Sequence, residues 1–299
     1  MSAPLIPYIT IPEIPIIPAI SLGGRELAAI TIKPFGTLVA LGVYFGWKLA
    51  ARQANRLGLN AEVFNQFIVW ILTGGFVGGH VFDVLLYHPW KLAEGSLIDA
   101  ITELAFIWRS PELIRRIHGA GNSGSDRLKY RFKASKEGHA VCGHCGSAFP
   151  LGWVFGRSGC SVAHDHPGMR SDAWFAVQYP HGGRFDLGLY EMLLTIPLAL
   201  TFFYLMKKPR PFGFYIGVMC MVYAPTRFAL DFLRAIDVAD ADPRHFGLTP
   251  AQWLCTALLG LGVFMFLRSV RAAERGETPH YVDEKTAKEP VEEAPATQP

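Results

Sequence analysis

Four stretches of the sequence hold side chains that could do chemistry. The first is GRSGCSVAHDHPG, residues 156–168, where Arg157 stands between Gly156 and Gly159 in a largely apolar run and His164, Asp165 and His166 follow. A guanidinium there could grip a phosphate through two parallel N–H···O bonds, with the two glycines allowing close backbone approach; the alternative is a structural pairing with a carboxylate. The His-Asp-His run offers donors for a transition metal, against the plainer reading of a solvated loop. The second stretch, RFALDFLR, sets Arg227 and Asp231 four apart on one helix face, with Arg234 on the same stripe and Pro225 placed to kink the helix. An ion pair would offset part of the burial cost, and the leftover positive charge asks for an anionic ligand. The third is Glu191 in LGLYEMLL, either a helix-start acid or a ligand group. The fourth is Cys142-Gly-His-Cys145, with His139 close by. It would suit a metal or a redox dithiol, but neither a second cysteine pair nor a βαβ pattern accompanies it.

The elements that must position these groups are apolar. Of 299 residues 51% are hydrophobic and 18% are charged, against about 25% in an ordinary soluble domain, and mean hydropathy is +0.24. That composition excludes a disordered chain and points to a polytopic, all-α integral membrane protein. The net charge of +3 gives no nucleic-acid footprint, and five cysteines, an odd number, do not read as a secreted disulfide framework. Residues 1–31 carry prolines at 4, 7, 12, 15 and 18, which block a helix and predict an extended arm lying on the bilayer surface. Spans are expected at 35–48, 63–87, 187–206, 212–233 and 251–267, with two weaker ones at 97–108 and 142–159. Lys and Arg gather after residues 48, 108, 206 and 267, whereas the loops near 88–96, 164–186 and 236–250 are poorer in them. Because basic residues accumulate in cytoplasmic loops, alternation requires both weak segments to cross. The result is about seven spans with the N-terminus outside, the C-terminus in the cytoplasm and a disordered tail over 269–299. Tyr44, Trp47, Trp90 and Trp153 fit an interfacial aromatic belt.

Taken in order, these residues resemble the prolipoprotein diacylglyceryl transferase family. Residues 156–168 align without a gap with the family signature G-R-x-G-N-F-x-N-x-E-x-x-G. IKPFGTLVALG (32–42), GGFVGGHVFDVLLYHP (74–89), LYE (189–191), RPFGFYIGVMCMVYAPTRFALDFLR (210–234) and GLTPAQWL (247–254) complete the match, which covers most of the chain outside 109–147. Against the family pattern, Cys160 and Ala163 replace two asparagines, Asp165 and Asp231 replace glutamates, Phe35 replaces a tyrosine and His80 an arginine. Residues 109–147 are basic and polar where the family has an HGG motif and an apolar span, and His118-Gly119-Ala120-Gly121 is the nearest counterpart. A local frameshift would account for the stretch, because family character returns at Phe149.

The resemblance implies an enzyme of the bacterial inner membrane. It would transfer an sn-1,2-diacylglyceryl group from phosphatidylglycerol to the lipobox cysteine of a preprolipoprotein signal peptide. It implies Arg157 and Arg227 as the phosphate-gripping catalytic groups and His118 as the base. Gly156, Gly159, Gly168, Tyr223 and Arg234 would complete the phospholipid site, with Asp165, Asp231 and Glu191 holding the arginines. No metal and no cofactor are expected, and the reacting thiol belongs to the substrate. Two rivals stay open on sequence: a homologue that binds phospholipid or signal peptides without turnover, and a thiol- or metal-handling membrane protein using Cys142 and Cys145.

Overall fold

The computed structural model describes residues 6–82 except 18–19, 23–24, 28–29 and 60, then 85 and 87, and the stretches 146–238 and 241–281. His118, the Cys142–Cys145 pair, the weak span at 97–108 and almost all of 109–147 lie outside the described residues.

The body is helical. Helix α1 (Pro34–Arg56) opens on Pro34, whose missing N–H costs nothing in a first turn, and α2 (Ala61–Phe82) follows. Helix α3 (Phe149–Ala163) replaces the broken apolar segment expected at 142–159. It stops at His164, whose backbone is left-handed with φ 51°. Helix α4 (Leu187–Leu205) is capped by the Asp186 side chain, which accepts from the Leu189 N–H. Helix α5 (Phe214–Leu230) runs on through Pro225 and tightens into a 3₁₀ turn, Asp231–Leu233. Helix α6 (Pro250–Glu274) starts in a capping box made by Thr249 and Gln252. Among the described residues, three segments are long and apolar enough to cross a membrane: Leu187–Leu205, Phe214–Leu233 and Pro250–Glu274. On the first and third of these many large apolar side chains face outward; Leu200, Tyr204 and Phe264 are all at least 60% exposed, which suits lipid rather than water.

Glycines set how closely the helices approach. A Cβ on Gly42 would fall 2.8 Å from the carbonyl oxygen of Gly152, so α1 and α3 touch backbone to backbone. Gly188 brings α4 against the backbone of Cys160 in the same way, and Gly217 with Gly262 locks α5 to α6. No such glycine contact joins α4 to α5 among the described residues. A cavity of about 300 Å³ opens between these two helices instead.

The expectation of an all-helical protein is revised by a small strand-built cap. Strands β1 (Ile6–Pro7), β6 (Pro167–Arg170), β7 (Val177–Tyr179) and β8 (Gly182–Asp186) form one sheet in the order β1-β7-β8-β6. Strands β2 (Ile14–Ile17) and β5 (Ile30–Ile32) pair antiparallel, as do β3 (Ile20–Leu22) and β4 (Arg25–Leu27). A proline-studded segment cannot be a helix, yet its remaining N–H and C=O groups need partners, and strand pairing supplies them. The tail boundary at 269 also moves. Helix α6 continues to Glu274, and the Tyr281 hydroxyl then donates to the Met206 carbonyl at 2.7 Å. Residues 282–299 lie outside the described residues.

Candidate active site

Three helices bring their charged residues to one buried point, and the start of a fourth adds a hydroxyl. Glu191, in the second turn of α4, is 1% exposed and lies between two guanidinium groups. Nε of Arg157, from α3, stands 2.9 Å from Glu191 Oε2, and Nε of Arg227, from α5, stands 3.1 Å from Oε1. Tyr223, one turn before Arg227, donates its hydroxyl to Glu191 Oε2 at 2.6 Å and accepts from Arg157 Nη2 at 3.2 Å. Arg227 Nη1 donates to Asp231 Oδ1 at 2.6 Å, the i,i+4 pairing expected from RFALD. The other Asp231 oxygen accepts from the Thr249 hydroxyl at the start of α6. Both arginines are thus held on one acid, and their two positive charges are balanced by Glu191 and Asp231.

A buried charge survives only when it is paired, and every charge of this network has a partner, with Arg157 Nε and Glu191 Oε1 held by ion pairing alone. The network meets the cavity between α4 and α5 through two of its members. Glu191 and Tyr223 line it beside Leu194, Leu198, Val222 and Leu230, so a polar end meets apolar walls. That is the shape a phospholipid demands, with a charged head and hydrocarbon chains.

Several expected site residues are placed differently. Arg234 carries no surplus charge, since its guanidinium is taken by Asp242 and its backbone bridges to Gly168. Gly168 has no room for a side chain, because a Cβ there would meet the Leu233 carbonyl oxygen at 2.7 Å. Gly159 is similarly tight against the Phe35 ring, whereas Gly156 has open space around it among the described residues, so only one of the pair serves close approach. Asp165 pairs with neither Arg157 nor Arg227 among the described residues; it turns towards His166 and Cys160. Trp153 leaves the interfacial belt for the site, its ring 5.0 Å beneath the Arg157 guanidinium. Thr249 was not legible as a site residue, because a helix-capping threonine carries no sign that it also ties down a buried aspartate.

His164 proves structural. Its Nδ1 lies 2.6 Å from Asp186 Oδ2, its Nε2 3.1 Å from the Ile9 carbonyl oxygen, and its ring stacks on Tyr8 with centroids 3.9 Å apart. The imidazole therefore pins the N-terminal strands to the end of α3 and the start of α4. A second clamp joins the cap to the segment after α5: Arg184 holds both oxygens of Asp237 at 2.8 and 2.6 Å, and Arg170 adds a third contact at 3.0 Å. The Arg184 guanidinium keeps the Asp237 carboxyl well below the usual carboxylate range. Burial holds the His166 imidazole below its ordinary value, favouring the neutral ring. Cys160, Asp165 and His166 each offer one ligand atom within 4.8 Å of the others, so of the described residues these could hold a metal ion.

A family model for prolipoprotein diacylglyceryl transferase matches residues 25–268. The chain belongs to this family. Its relatives include the phosphatidylglycerol–prolipoprotein diacylglyceryl transferase of Nitratidesulfovibrio vulgaris, 27% identical over an alignment 270 residues long that covers 82% of this chain and 94% of the relative. The protein of the same name from Vibrio atlanticus is 29% identical over 269 residues, 87% of this chain and 92% of its own length. A third, from Pseudomonas paraeruginosa, is 25% identical over 263 residues, 85% of this chain and 95% of that one. The match extends across Arg157, Glu191, Arg227 and Asp231, so in this family member the buried network lies inside the shared region.

Proposed function

We propose that this family member transfers the sn-1,2-diacylglyceryl group of phosphatidylglycerol to the lipobox cysteine thiol of a preprolipoprotein. It would act in the bacterial inner membrane, with seven spans, the N-terminus outside and the C-terminus in the cytoplasm. One observation carries the reading: two arginines from separate helices converge on a single buried acid at the polar end of an apolar cavity.

The chemistry needs that arrangement. The substrate thiolate attacks the glyceryl carbon, an S–C bond forms, the C–O bond to phosphate breaks, and the electron pair leaves on glycerol phosphate. The thiol proton goes to water or to the departing phosphate. Negative charge on the leaving group grows during the step, and fixed guanidinium groups in a poorly solvated site stabilise it most where it grows most. Arg157 and Arg227 take that role, oriented by Glu191 and Asp231, with Tyr223 tying Arg157 to Glu191. Removing one such donor costs about 10²–10³ in rate.

The test incubates the full chain in phosphatidylglycerol-containing membranes with a lipobox peptide and weighs the peptide cysteine. The expected result is a diacylglyceryl adduct, reduced at least about 100-fold by Arg157→Ala. Folded protein that yields no adduct, in membranes and in complementation of a depleted strain, defeats the proposal.

A further inference from the structure

A guanidinium carries five N–H donors in one plane, and three of those on Arg157 face partners. Nε stands 2.9 Å from Glu191 Oε2, Nη2 donates to the Tyr223 hydroxyl at 3.2 Å, and Nη1 reaches the Cys160 sulfur at 3.7 Å. Among the described residues, one N–H on each Nη is left for a ligand. The two firm contacts, on Nε and Nη2, lie along a single edge, so on their own they would let the group swing about that edge. Sulfur is a weak acceptor, and Cys160, which stands where the family signature has asparagine, adds little on the Nη1 side. Something else has to fix the plane.

Trp153 is placed to do it. It stands one turn before Arg157 on α3, and the Arg157 Cζ lies over its ring at 5.0 Å from the centroid. The ring is itself wedged. Phe149, a turn earlier again, stacks on it with centroids 5.1 Å apart, and the Tyr223 ring meets it edge-on at 5.7 Å and 89°. It also packs against the buried cluster built around Leu198, Phe202, Tyr215 and Met219 on α4 and α5. Its indole N–H is buried with no acceptor among the described residues, so what the side chain offers Arg157 is the face of its ring.

We propose that Trp153 is a positioning residue for the transfer, its ring holding the Arg157 guanidinium in the plane that turns the two remaining N–H groups to the leaving phosphate. This deepens the transferase reading and rests on it. An aromatic face does here what a further carboxylate would not. It attracts the cation through the negative face of the ring, yet takes up none of its N–H groups and cancels none of its charge. Glu191 and Asp231 already balance the two arginines, so a third acid would put surplus negative charge where a phosphate has to arrive. The same ring buttresses Tyr223, which lines the cavity and joins Arg157 to Glu191 through its hydroxyl. Negative charge grows on the leaving phosphate only as the C–O bond breaks, so a tilted guanidinium loses more in the transition state than with lipid merely bound. Trp153 therefore bears on kcat and hardly on KM.

The experiment follows diacylglyceryl transfer to a lipobox peptide by the full chain, with the phosphatidylglycerol content of the membrane varied to separate kcat from KM. Tryptophans bearing increasing numbers of ring fluorines are placed at position 153 by stop-codon suppression. Fluorine drains the negative face of the ring and nearly keeps its shape, so packing is preserved while the attraction for a cation fades. The expected result is a kcat that falls with each added fluorine, to about a tenth at the end of the series, with KM within about twofold of the parent. Trp153→Phe, which keeps a face, should retain at least about a third of the parent kcat, and Trp153→Leu, which keeps none, should lose about tenfold or more. The fluorinated series decides the matter even where Trp153→Leu does not fold. A flat series in active protein overturns the assignment of Trp153 and leaves the transferase reading intact; so does a Trp153→Phe variant as slow as Trp153→Leu, or a series that raises KM at constant kcat. Folded parent protein that makes no adduct overturns the transferase reading, and the part of Trp153 with it.

Discussion

Glu191 carries more than its own charge. With both arginines paired to it, changing it to glutamine would leave two guanidinium groups facing one amide in a buried site. Breaking a buried pair by removing one partner costs about 3–5 kcal/mol. Glu191→Gln is therefore expected to lower the thermal midpoint in detergent and to cut transfer at least about 100-fold, whereas Asp165→Asn should leave the midpoint near that of the parent. Unchanged melting of Glu191→Gln would show that the arginines do not depend on it. Asp237 makes a prediction in pH. Its folded value is depressed by Arg184, with Arg170 adding, so its stabilisation is complete above the unfolded carboxyl value of about 3.9 and is lost as pH falls through the folded one. Asp237→Asn should remove that acid-side loss, read as a flatter melting profile below about pH 4. At this scale the sequence was a good guide to identity and a poor one to partners. Arg157, Arg227, Asp231 and Glu191 announced themselves as charges in apolar runs. Which acid held which arginine depended on three helices meeting, and Asp165, adjacent to the arginine motif, goes elsewhere.

Among the elements, α3 with α4 and α5 with α6 are each held at a fixed spacing through contacts that tolerate no added atoms. Gly188 abuts the backbone of Cys160, and Gly217 abuts that of Phe266, each with a virtual Cβ under 3.0 Å from backbone atoms. Neither neighbour can move as a flexible side-chain tip could, so overpacking of about 1–3 kcal/mol follows from a single methyl. Gly188→Ala and Gly217→Ala are both expected to lower stability in detergent. Gly188→Ala should also depress transfer, because it pries α4, and Glu191 with it, away from Arg157. Gly260→Ala, on α6 away from the site and with open space around it, serves as the control and should do neither. Element boundaries were legible where apolar runs end in caps, as at Asp186 and Thr249. The strand cap was not, since its pairings join residues such as Ile6 and Val177, and proline spacing says only that the chain is extended. The same limit explains α3, whose 15 residues include Arg157 and give a weak apolar signal although the helix is continuous.

For the whole molecule, the decisive question is which way it faces. Outward-pointing Leu, Phe and Tyr side chains on α4 and Leu and Phe side chains on α6 form the apolar girdle a bilayer requires, and three segments are long enough to cross it. Orientation comes from the loops. Lys207, Lys208 and Arg210 follow α4, and Arg268, Arg271 and Arg275 lie at the end of α6, while the cap between α3 and α4 sets Arg170 and Arg184 against Asp165, Asp172 and Asp186, and Asp237 after α5 pairs with both arginines. Basic residues are retained on the cytoplasmic side, so the two ends of α4 should lie on opposite faces of the membrane, with the cap outside. Asp172 and Lys208 are both exposed and bracket that helix. In intact cells an impermeant maleimide is expected to label Asp172→Cys at once and Lys208→Cys only after permeabilisation, with the unmutated protein as the background for the native cysteines. The opposite labelling order would turn the protein over. It would also put the cavity's polar end, where Glu191 sits one turn from the cap, on the cytoplasmic side, away from any exported lipobox.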